Sequence, residues 1–126
     1  MNLAAERYVA LSDSSRRLAV LALRLRLEAV ASEASREISM EGLAPQRVGD
    51  VKARLFFVLD PSGDESVFLA QLRVVHLARH IYGISSDVLH GRSSIVNLPP
   101  FLLAEWEAAV RDLEGIAQQK ERGSGA

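Results

Sequence analysis

Residues 64–92, DESVFLAQLRVVHLARHIYGISSDVLHGR, constrain this chain more than any other stretch. They read as one long, mostly apolar helix that holds all three histidines of the protein. At 100° per residue, Arg73, His76, Arg79, His80, Gly83, Asp87 and His90 fall within about a third of the circumference. Val67, Phe68, Val74, Val75, Leu77, Ala78, Ile81, Tyr82, Ile84, Val88 and Leu89 occupy the rest. A helix apolar over about two thirds of its surface belongs at the centre of a bundle. Its polar stripe, with Arg73, His76, Arg79, His80 and Asp87, is the candidate binding surface.

The flanking segments also read as helices. Ser12-Asp13-Ser14-Ser15 is a run of N-capping residues, and a helix is expected from there to Ser39. Leu18, Leu21, Leu25, Ala29 and Ser32 form its expected core stripe. Leu21–Leu27 also alternates like a strand, but leucine, arginine and alanine favour helix, so helix is the better reading. Leu3–Leu11 is expected as a short leading helix or an extension of this one. Gly42-Leu43-Ala44-Pro45 ends the element and opens the next, where Val48, Val51, Leu55, Val58 and Leu59 recur at helical spacing. Asp60-Pro61-Ser62-Gly63-Asp64 is the clearest turn. After a loop over 91–98, Pro99-Pro100 starts a last helix with Leu102 or Leu103, Trp106, Val110, Leu113 and Ala117 on its apolar face. Trp106 between Glu105 and Glu107 reads as core flanked by solvated acids.

The expected architecture is all-α, an antiparallel up-and-down four-helix bundle over residues 1–117 followed by a flexible tail, 118–126. At 126 residues the chain suits one domain with a sizeable core. Net charge is −1 with acids and bases interleaved, so no basic arm points to an extended nucleic-acid footprint. Cysteine is absent, which excludes disulfides, thiolate metal sites and cysteine nucleophiles. The N-terminus lacks the basic and apolar regions of a signal peptide, and Leu18–Leu27, broken by Arg24 and Arg26, is too short to span a bilayer. A cytoplasmic location without membrane partners is expected. Thirteen arginines against two lysines read as the coding bias of a GC-rich bacterial genome.

His76 and His80, four apart, share a face but make only half a metal site. Asp87 lies about 10 Å further along the axis and does not complete it. No metal or other cofactor is expected. Ser86 and His90 share a face, yet no third group orients the imidazole for nucleophilic catalysis. No phosphate-cradling glycine loop, HExxH or GxSxG pattern occurs. Arg24 and Arg26 must reach the margin of their helix, a partner or a shared groove if that helix packs on several sides.

The phrase Tyr82-Gly83-Ile84-Ser85-Ser86-Asp87-Val88-Leu89-His90-Gly91 resembles the end of the third helix in HEPN-superfamily domains. Those are small helical bundles that include ribonuclease toxins, CRISPR-linked nucleases and inactive relatives. Their signature sets an arginine four to six residues before a histidine, commonly as Y-x-x-R-S-x-x-x-H-G. Tyr82, Ser86, His90 and Gly91 match; Ser85 stands where the arginine is expected. Arg73 and His80 also satisfy the bare spacing, a match about as frequent as chance allows.

The resemblance implies a bundle in which two copies pair to form a metal-independent ribonuclease site. The histidine there assists proton transfer from the RNA 2′-hydroxyl, and arginine stabilises the charge developing on phosphate. Here His90 takes the histidine role, and a guanidinium has to come from Arg92, Arg79 or Arg73. Arg79 is about 16 Å from His90 along the helix, too far to share one phosphate within a chain. Loss of the motif arginine therefore ranks a non-catalytic HEPN-like interaction module first, acting by homodimerisation or protein-partner binding. An RNA-cleaving enzyme using His90 with a displaced arginine, and a helical adaptor unrelated to HEPN, are the alternatives.

Overall fold

The computed structural model describes residues 13–40, 51–61, 63–91 and 98–124. They are all-helical, with no strand among the described residues. Four helices follow in order: α1 (Asp13–Met40), α2 (Val51–Arg54), α3 (Glu65–Leu89) and α4 (Pro100–Ser124). A 3₁₀ turn, Leu55–Val58, continues α2. Helices α1, α3 and α4 pack against one another pairwise, and the short α2 with its 3₁₀ turn leans on α1 and α3.

The second element is tighter than the helix expected up to Leu59. Leu59 is already extended at φ −73°, ψ 142°, and its N–H donates to Phe56 O at 3.2 Å. Pro61 disfavours helical geometry at Asp60, so the segment must leave the helix, and a 3₁₀ closure is the usual way out. Its expected start at Pro45, the leading segment Leu3–Leu11 and most of the 91–98 loop lie outside the described residues.

Local signals set the ends of α3. Asp64 is the N-cap, and its Oδ1 accepts from both the backbone N–H and the hydroxyl of Ser66 at 2.7 Å. At the other end His90 N–H donates to Ser86 O at 2.9 Å and Gly91 N–H to Val88 O at 3.2 Å. Gly91 takes φ +75°, the left-handed geometry that glycine supplies at a helix end. Helix α4 opens at Pro100 as expected, but it runs past Ala117 to Ser124 where a tail was expected from 118. Lys120, within the expected tail, holds it down: its ammonium donates to Phe57 O and, at 3.2 Å, to Leu59 O.

The core draws on α1, the 3₁₀ turn, α3 and α4. Val75, Ala78, Ile81 and Val88 come from α3, and Leu103, Trp106, Val110 and Leu113 from α4. Leu55 and Val58 plug it from the 3₁₀ turn. Trp106 is buried as expected and Glu105 is exposed beside it, but Glu107, read as solvated, is partly buried.

Helix α1 corrects its expected orientation. Its buried residues are Val20, Leu23, Leu27, Val30 and Ala31, whereas Leu18, Leu21 and Leu25 are 66%, 38% and 54% exposed. The two arcs lie roughly opposite each other on the wheel. Apolar residues surround this helix, so periodicity does not choose between faces. The arginines do choose. Arg24 and Arg26 sit about 80° to either side of the buried arc, so each reaches a neighbouring helix. Arg26 makes a two-pronged contact to Glu114 of α4 at 3.1 and 2.5 Å. Arg24 turns to α3.

Two outcomes follow. Leu27→Ala should cost about 2–5 kcal/mol by cavity formation, while Leu25→Ala should stay within about 0.5 kcal/mol, as read by urea unfolding. The hydrogen bonds from Ser66 hold the Asp64 carboxyl below its ordinary 3.8. A depressed folded pKa stabilises above the unfolded value, and that contribution disappears as pH falls through the folded value. Asp64→Asn keeps a cap but cannot titrate. The stability advantage of the wild type over this variant should therefore shrink below pH 3.8 in thermal melts.

Candidate functional site

The polar stripe of α3 divides into three parts with different surroundings. The middle part seats α2 and its 3₁₀ turn. The Arg79 guanidinium lies 4.3 Å over the Phe56 ring, and its Nε donates to Lys52 O at 3.1 Å. His76 meets Phe56 edge-on, with centroids 5.8 Å apart and rings at 84°. Gly83 leaves room for the Lys52 side chain: a Cβ there would lie 3.0 Å from Nζ and 3.2 Å from Cε. The three residues together form a docking seat. Arg73 is exposed on the same helix.

His80 and Asp87 border a second region. With Lys52, Tyr82, Gly83 and Ser86 they line an open polar cavity of about 470 Å³. No group of three histidines, aspartates or glutamates among the described residues converges to hold a metal ion. His76 faces Phe56 while His80 borders the cavity, so the structure does not bring the two histidines to one ligand.

The third part is the C-terminal end of α3. His90 is exposed, and its Nδ1 lies 2.8 Å from Ser86 O, a distance at which a protonated Nδ1 donates to the carbonyl. That contact uses the Ser86 backbone, not its hydroxyl. It turns Nε2 away from the contact. The candidate partner Arg92 lies outside the described residues. Arg79 is committed to Phe56 and Lys52, and Arg73 projects from the middle of α3.

Sequence reasoning overlooked an arginine that reaches the last turn of α3. Arg17 of α1 places Nη1 3.5 Å from Val88 O, at the negative end of the α3 dipole. Arg16 donates to Leu98 O at 3.1 Å in the same region. A signal existed: Arg16-Arg17 immediately follow the capping serines, but only the unknown helix pairing could place them there.

A further guanidinium reaches the motif position itself. Ser85 is fully buried, donates to Tyr82 O at 2.7 Å and accepts from Arg24 Nη1 at 3.3 Å. The Arg24 guanidinium lies 4.1 Å over the Tyr82 ring, and its Nε is 3.4 Å from Glu28 Oε1. Tyr82 closes the network by donating to the same oxygen at 3.0 Å. The side chain at the motif-arginine position is thus sealed inside the α1–α3 interface, with a cation from α1 above it.

A second cavity of about 470 Å³ lies between α1, the 3₁₀ turn and α4, floored by Ala29, Val30, Val58 and Ala117. Arg26, Glu114 and Lys120 stand at its edge. The outward face of α1 is the largest feature that sequence reading placed wrongly. Leu18, Leu21, Ala22, Leu25, Ala29 and Ser32 are all exposed on it, without a charge among them.

No protein-family model, curated protein or solved structure matches the chain. No described helix is long and apolar enough to cross a membrane.

Replacing Arg79 by leucine removes the stack on Phe56 and the bond to Lys52 O. It should cost about 1–2 kcal/mol. Hydrogen exchange should accelerate over 51–58 and leave the amides of α1 and α4 protected. Uniform acceleration throughout the chain would show that Arg79 supports the whole bundle and not one docked element.

Proposed function

We propose that the chain is a non-catalytic HEPN-like interaction module whose helices alternate up and down as an antiparallel bundle. It acts by homodimerisation or by binding another protein. The observation that carries this reading is the outer face of α1 over residues 18–32, where no residue of the exposed apolar stripe is charged; Glu33 and Arg36 close the stripe at its far end. Single exposed leucines are ordinary, but three at helical spacing, joined by two alanines and a serine, form a contiguous patch suited to a partner surface. Burial of Ser85 also supports it. An arginine grown from that position would have to displace the Arg24–Tyr82 network before it could meet a phosphate.

The test is complex formation in extracts of the native host, using wild type and a Leu18→Ser/Leu25→Ser variant. A partner or second copy that accompanies the wild type should be lost from the variant, while circular dichroism stays unchanged. Equal recovery with both proteins would remove the α1 face from the function.

Arg17 beside the last turn of α3 favours a second reading, metal-independent RNA cleavage by His90 with a displaced arginine. On that reading, cleavage in EDTA should disappear in His90→Ala and fall steeply in Arg17→Ala. Cleavage that survives His90→Ala, or none in the wild type, leaves the interaction module.

A further inference from the structure

We infer that the outer face of α1 pairs with the same face of a second copy, the two α1 helices running antiparallel about a two-fold axis near residues 22 and 23. This rests on the reading of the chain as an interaction module and names its partner.

The argument begins with the flank of the apolar stripe. Arg17 and Glu28 are eleven residues apart, so they lie within about 20° of each other on the wheel and about 16 Å apart along the axis. Both border the Leu21 side of the stripe. An antiparallel two-fold keeps each flank on its own side and reverses its order. Arg17 of one copy then stands beside Glu28 of the other, and the pairing occurs twice. A parallel pair would put Arg17 and its partner's Glu28 on opposite sides of the seam, with no exchange.

The intrachain contacts leave these groups able to meet. The Arg24 and Tyr82 contacts to Glu28 both fall on Oε1, so Oε2 is left for the partner's guanidinium. Arg17 is exposed and makes only a long 3.5 Å contact through Nη1. In the same register Leu18 packs between Leu25 and Ala29 of the second copy, a large side chain entering a gap beside a small one. The interface is isologous and closes on itself. One helix face is smaller than the roughly 1,200 Å² of a standard stable interface, so association is concentration-dependent.

This dimer separates the two copies of His90. Each follows the Val88 carbonyl that its own Arg17 reaches, at opposite ends of the seam, so the pairing does not assemble a shared His90 site.

The chain has no cysteine, so single introduced cysteines report the geometry. Ala22 and its copy are about 1.5 Å apart along the axis in the antiparallel pair, whereas Leu18 and its copy are about 13 Å apart. Mild oxidation should therefore link Ala22→Cys into a dimer and leave Leu18→Cys monomeric. Analytical ultracentrifugation of the wild type should show a monomer–dimer equilibrium. Leu21→Glu/Leu25→Glu should weaken it about tenfold or more, and Arg17→Glu by a smaller factor that shrinks in high salt. A linked Leu18→Cys dimer would overturn the proposal in favour of parallel pairing. A wild type that stays monomeric overturns it too. If host-partner binding in that case still depends on Leu18 and Leu25, the interaction-module reading survives without self-pairing; if it does not, both fall.

Discussion

Two arginines on α1 determine which way the bundle is assembled. A guanidinium remains charged under all ordinary conditions, and placing it in a helix interface requires acceptors already in position. Arg24 finds a serine hydroxyl, an aromatic face and a carboxylate between α1 and α3. Arg26 finds a carboxylate on α4 in two-pronged geometry. Because the two cations lie on either side of one arc, only rotations that bury this arc satisfy both. The leucines on the opposite face are consequently turned outward. The partly exposed Arg26–Glu114 pair adds little to stability by itself, about 0–1 kcal/mol, so its role is orientation more than strength.

This explains what could and could not be read from residues alone. Helix-ending residues are local: Asp64, Gly91 and Pro100 announce both ends of α3 and the start of α4 without knowledge of the fold. The burial of Val75, Ala78 and Ile81 fits a helix with one polar stripe, but Val67 and Leu77, read on the same apolar arc, are 53% and 44% exposed. Helix α1 has apolar residues on every side, so the choice of inner face depended on which distant residues would receive Arg24 and Arg26. Tyr82 and Glu114 are far away in sequence. The end of α4 was missed for a similar reason, since Lys120 is anchored by carbonyl groups some sixty residues upstream. No composition rule reveals such acceptors.

The stripe on α3 was correctly read as polar, but polarity alone did not reveal its division of labour. His76, Arg79 and Gly83 accommodate a neighbouring element, His80 and Asp87 border an open cavity, and His90 caps the helix end. A short motif describes residue order, while chemistry depends on which groups share a small volume. Arg24 and Arg17, both on α1, reach the Ser85 hydroxyl and the Val88 carbonyl of α3 and are held by different acceptors.

The short α2 and its turn are held by the buried side chains of Leu55 and Val58 and by bonds to their backbone. Arg79 takes the carbonyl of Lys52, and Lys120 takes those of Phe57 and Leu59. Every amino acid offers a carbonyl, so these anchors do not depend on the side chains at the three accepting positions. The burden of preserving the docked geometry falls on Arg79, Lys120, the Phe56 ring and the buried Leu55 and Val58. Drift in sequence over much of the rest of this segment is consequently compatible with an unchanged position. Among divergent copies, the element would be traceable by the residues that grip it more readily than by its own.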